Sequence, residues 1–123
     1  MTVSAHIEQP WLYLDPVRAI EQLGDVQALL SMLPMLKELL DRDVPQIAQF
    51  LAAADVKSAN PLLHSLKGCM PIFCVADFCE ELARVEHMSK SGGIAEVGPA
   101  FAILGPKLDQ LSLEVSRFLS SQT

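Results

Sequence analysis

Apolar residues recur at steps of three and four along most of the chain, and no stretch alternates apolar with polar residues far enough to suggest a strand. The clearest run lies between about residues 25 and 54, with Leu29, Leu30, Leu33, Leu36, Leu40, Ile47, Phe50 and Leu51 mostly three or four apart. A shorter helix is predicted before it. Leu14-Asp15-Pro16 reads as its start, with Asp15 as N-cap and Pro16 at the first helical position, and Gly24 as its stop. Asp25 then caps the long helix. Pro34 and Pro45 interrupt that helix, and each removes one backbone hydrogen bond, so a kink or a break is expected. Asp43 can recap a new helix with Pro45 in its first turn; one kinked helix and two shorter ones both fit the pattern. Asp55 opens the next helix, which ends near Pro71. A further helix covers about 75–90, and Ser91-Gly92-Gly93 reads as a loop. The last helix fills much of 94–120, with Pro99 and Pro106 disturbing its first half. Long amphipathic helices on short connections predict an all-α, antiparallel bundle.

Composition narrows what such a bundle can do. The chain has 123 residues, half of them hydrophobic and 20% charged, which suits one domain with one core. Its formal net charge is -6, with nine Lys and Arg and no basic stripe, so neither nucleic acid nor an anionic membrane surface is an expected partner. No apolar run approaches the roughly 18 residues that span a bilayer. The start, MTVSAHIEQPW, lacks the basic and apolar segments of a signal peptide, so a cytoplasmic setting is expected. Cys69, Cys74 and Cys79 fall five residues apart, a spacing that matches no common zinc or iron–sulfur pattern. They read as small, partly buried apolar residues, with a thiol-dependent sensor as the lesser alternative. His6 lies near the terminus, and His87 has no second histidine at helical spacing, so no metal site is expected. Asp15, Asp25, Asp43 and Asp55 read as helix caps, not as an acidic site.

One stretch, "LLHSLKGCM" from Leu62 to Met70, departs from ordinary helix composition. On a wheel at about 100° per residue, Ala59, Leu62, Leu63, Leu66, Cys69 and Met70 share one arc. His64 falls nearly opposite, beside Lys57, Asn60, Lys67, Gly68 and Pro71. It is therefore expected on the outer surface, not in the core. Gly68 costs the helix roughly 1 kcal/mol relative to alanine. Placed four residues after His64, it removes a side chain that would crowd the imidazole. Lys67 brings an ammonium within reach of anything attached to that ring. A cleared histidine beside a mobile positive charge suits a group that becomes negative, and phosphoryl is the obvious candidate.

His64, Lys67 and Gly68 resemble the central motif of histidine-containing phosphotransfer (HPt) domains, in which a histidine is followed after two residues by Lys-Gly. The interval from Gly24-Asp25 to the histidine and the later stretch "FCEELARVE" also look like that family, and the likeness covers about 14–120 of a single domain spanning 1–123. The resemblance implies an antiparallel four-helix bundle with a short additional N-terminal helix. It implies that His64 accepts phosphoryl, that Lys67 stabilises it, and that Gly68 lets a receiver domain approach. Asn60 and Pro71, on the His64 side of the wheel, are expected on the docking face. A carboxylate or amide 22 residues after the histidine often bonds its ring in the family, and Glu86 matches that position. On the wheel of its own helix, Glu86 lies within about 45° of the centre of the arc made by Val75, Phe78, Cys79, Leu82 and Val85. A carboxylate near a buried face needs a partner. His64 is one candidate, and a solvated, snorkelling Glu86 is the other. The chain departs from the family at Leu63, where a small residue is usual, and at Cys74, where glycine is frequent. It also carries Pro61 three residues before the histidine, which either kinks that helix or starts it afresh at Asn60-Pro61.

These readings imply a phosphoryl carrier of a two-component phosphorelay. Its partners would be the receiver domains of response regulators or hybrid kinases. It would need no cofactor of its own, with magnesium held by the receiver, and would have no ATP-dependent kinase activity, since the chain has no Gly-rich phosphate loop. A monomer is the simplest state. The alternative is a docking module that binds a receiver or kinase without carrying phosphate. Trp11, Leu12, Tyr13 and Leu14 either join the docking surface or close the end of the core.

Overall fold

The computed structural model describes residues 11–122, and among them the regular structure is helical. In chain order the α-helices are α1 (Pro16–Leu23), α2 (Val26–Ala52), α3 (Val56–Cys69), α4 (Ala76–Ser91) and α5 (Ile94–Ser121), with a 3₁₀ turn, Met70–Ile72, after α3. The terminal stretch that holds His6 lies outside the described residues. No described helix is long and apolar enough to cross a membrane.

The expected caps on α1, α2 and α3 are in place. Asp15, Asp25 and Asp55 accept from the backbone N–H groups of Arg18 (3.2 Å), Ala28 (2.9 Å) and Ser58 (3.1 Å), satisfying donors that the helix itself cannot. Gly24 ends α1 at φ 108°, a backbone conformation that suits glycine. Asp43 is a correction. It caps nothing; it lies inside α2, buried, with Arg42 Nε 2.9 Å from its Oδ1.

α2 is one helix through both Pro34 and Pro45, and α3 runs unbroken through Pro61 from its cap at Asp55. The fresh start at Asn60-Pro61 does not occur. Pro99 and Pro106 likewise lie inside α5. All five of these prolines are solvent-exposed. The carbonyl four residues before each proline loses its helical donor, and it lies on that same outer side, where water can serve it.

The helices share one core. α2 packs on α3 and on α5, α4 packs on the same two, and α1 rests against α2. α3 therefore lies between α2 and α4, with its outer surface free. The segment before α1 closes one end. Leu12, Tyr13 and Leu14 N–H groups donate to the buried Glu114 carboxylate of α5 at 3.0, 3.0 and 2.9 Å. Leu14 also forms an isolated bridge with Cys74, through Asp15 N–H to Phe73 O (2.7 Å) and Val75 N–H to Tyr13 O (2.9 Å). Trp11 meets Phe118 edge-on at 5.9 Å, and Tyr13 lies 4.3 Å from Phe78, centroid to centroid. Of the four residues left open by the sequence, Trp11, Tyr13 and Leu14 close the core and Leu12 is exposed.

Candidate functional site

α3 buries Ala59, Leu63 and Leu66. That face fixes the opposite one outward, and the His64 side chain is 69% exposed. Leu62 and Cys69, placed on the core arc by the wheel, are only half-buried. α4 buries Phe78, Leu82, Val85, Glu86 and Ser89, and Glu86 is 0% exposed. The carboxylate thus lies beneath the surface where α4 packs on α3. Its snorkelling alternative does not hold.

Three cationic or ring groups converge on that carboxylate. His64 Nδ1 is 3.3 Å from Oε2, Lys67 Nζ is 3.3 Å from Oε1, and Lys90 Nζ, one turn along α4, is 3.9 Å from Oε1. A carboxylate can only accept, so Nδ1 carries the proton in this contact, and in the neutral ring that leaves the lone pair on Nε2. Burial pushes the Glu86 carboxyl up. The hydrogen bonds from Lys67 and His64 and the charges of Lys67 and Lys90 outweigh it and hold the group below the ordinary glutamate value.

A frame of small polar groups holds Glu86 in place. Asn60 Nδ2 donates to Ser89 Oγ at 2.7 Å, and Ser89 Oγ donates to the Glu86 carbonyl at 2.7 Å. The Asn60 amide also lies 3.4 Å from that carbonyl and 3.5 Å from Oε2. Asn60 thus works inward, on the partner of His64. Ser89 and Lys90 were not singled out in the sequence, although spacings of three and four residues from Glu86 on one helix were the available signal.

Gly68 and Pro71 are exposed, Gly68 one turn after His64 on the same helix. A Cβ on Gly68 would meet nothing within 4 Å. A methyl group there would therefore not crowd the imidazole, and Gly68 itself is exposed. Grooves flank α3 on both sides. One, of about 690 Å³, runs past Lys67, Arg84, His87 and Met88; the other, of about 240 Å³, runs past Met35, Leu39, Ser65 and Cys69. His64 lines neither. A histidine ring that lines neither groove suits a partner with its own cavity better than it suits a small substrate.

Compared with known proteins, the chain matches no family model, no curated protein and no solved structure.

Proposed function

We propose that this chain is a histidine phosphotransfer protein of a two-component phosphorelay, and that its helices are the antiparallel four-helix bundle of an HPt domain with a short extra N-terminal helix. The observation that carries the reading is the exposed His64 ring, held through Nδ1 by a fully buried carboxylate that also holds Lys67. That arrangement presents Nε2 as a nucleophile and keeps a cation beside it. Nε2 attacks the phosphorus of an aspartyl phosphate on a receiver domain. An N–P bond forms as the P–O bond to the aspartate breaks, and the aspartate leaves as a carboxylate. The Nδ1 proton stays on the ring, facing Glu86. Lys67, 41% exposed at its side chain, turns from Glu86 to the phosphoryl oxygens. The receiver supplies magnesium, and phosphate reaches this chain from that partner, not from ATP. The chain acts in the cytoplasm as a monomer.

The test follows labelled phosphate from phosphorylated receiver domains of the same organism to this protein, with His64→Gln alongside. Acid-labile, alkali-stable label on the wild type alone is the expected result. Receiver binding with no label would replace the carrier with a docking module.

A further inference from the structure

Two cysteines meet at the start of α4. Val75 is the N-cap of that helix, so Cys74 stands just before the cap and Cys79 is the fourth helical residue. Side chains at those two positions fold against each other across a helix start. The Cys79 thiol donates to the Cys74 carbonyl oxygen at 3.8 Å, which seats its sulfur against Cys74. The backbone fixes both residues. Phe73 O and Val75 N–H, on either side of Cys74, are bonded to the segment before α1, and Cys79 N–H donates to Val75 O at 3.2 Å. Cys74 is fully buried, whereas Cys79 is partly exposed.

The three thiols differ in chemistry. The neighbouring Cys74 side chain lowers the Cys79 thiol; burial opposes that shift and the charge of Arg18 aids it. The same contact, with burial, pushes Cys74 up and keeps its proton. Burial, with the charge of Asp43, pushes Cys69 up to about 11. The thiolate is the reactive form, and Cys79 is the partly exposed member of the pair while Cys74 is buried, so Cys79 is the attacking sulfur.

We propose that Cys74 and Cys79 form a dithiol site that a hydroperoxide converts to an intrachain disulfide. Cys79 sulfur attacks one peroxide oxygen, the O–O bond breaks, and Cys79 becomes a sulfenic acid as alcohol or water leaves. Cys74 sulfur then attacks the sulfenic sulfur. The S–S bond forms, the S–O bond breaks, and the hydroxide departs with the Cys74 proton as water. Two thiols give up two electrons and the peroxide takes them. The proposal does not depend on phosphotransfer.

The experiment treats the full chain with dilute hydrogen peroxide, then denatures, alkylates and weighs it. The expected product lacks two hydrogens and carries a single alkyl group, on Cys69, with residues 74 and 79 joined in the peptide map. Cys79→Ser should form no bridge, and Cys74→Ser should leave a dimedone-trappable sulfenic acid at Cys79. In the untreated protein, Cys79 should alkylate more than about tenfold faster than Cys69. Full alkylation of all three cysteines after peroxide, a bridge that includes Cys69, or dimers joined through Cys79 would each overturn the proposal.

Discussion

Glu86 shows how much one side chain can be asked to do. Its Oε2 orients His64, and its Oε1 restrains Lys67 and Lys90. Removing it leaves the imidazole free to turn, and misplacing a reacting atom by about 1 Å costs on the order of a hundredfold in rate. Glu86→Ala should therefore slow phosphoryl acceptance by roughly tenfold to a hundredfold, while Glu86→Gln, whose amide oxygen can still accept Nδ1–H, should retain more. Single-turnover transfer from a phosphorylated receiver measures both; equal loss in the two variants would point to the negative charge instead of the hydrogen bond. Gly68 invites a second substitution. Because a methyl group there touches nothing within the chain, Gly68→Ala should raise stability by about 0.5–1 kcal/mol through helix propensity alone. It should nevertheless weaken receiver docking. Denaturant unfolding and transfer kinetics on the same variant separate the two effects. A more stable variant with unchanged transfer would remove Gly68 from the docking face.

The segment before α1 has no helical hydrogen bonds of its own, so its order depends on what it borrows. Glu114 accepts from three consecutive backbone N–H groups and from Gln110 Nε2 at 3.0 Å. Truncating the carboxylate strands those donors under partly buried aromatic rings, and a single unsatisfied buried group costs about 1–3 kcal/mol. Glu114→Ala should thus destabilise the fold by roughly 3 kcal/mol, with loss of amide protection concentrated at Leu12, Tyr13 and Leu14 in hydrogen exchange. Uniform loss across α5 instead would mean that Glu114 holds the helix, not the segment. The prolines teach the complementary lesson. A proline is expected to break a helix, yet α2, α3 and α5 tolerate theirs because each ring lies on the water side. Which side a ring takes is set by the apolar stripe, so this outcome was available from the wheel and outweighs the usual penalty.

Across the molecule, acid should loosen the packing of α3 on α4 and of α2 on α5 together. Asp41 is held below the usual aspartate range by hydrogen bonds from Lys37 and from Ser112, which sits on α5, and Glu86 is held low between α3 and α4. A carboxyl whose folded pKa is depressed binds fewer protons folded than unfolded. Its stabilisation is complete above the unfolded values, about 3.8 for Asp and 4.5 for Glu, and is lost as pH falls through the lower folded ones. Stability measured by urea unfolding should therefore be flat from neutral pH to about 5 and fall below it; Glu86→Gln should flatten part of that fall. The helical class, three of the caps and the outward face of His64 were legible in the chain because each follows from contacts within about one turn, where apolar spacing and a capping side chain decide the outcome. Asp43 could not be placed that way: the same local chemistry that makes a cap also occurs inside a helix, and only the neighbouring helices bury it. Glu114 reaches residues about a hundred positions away, and the closing of Glu86 over His64, Lys67 and Asn60 depends on how α3 and α4 lie against each other. No local pattern carries that information, because burial is a property of the surfaces that meet and not of the segment that supplies one of them.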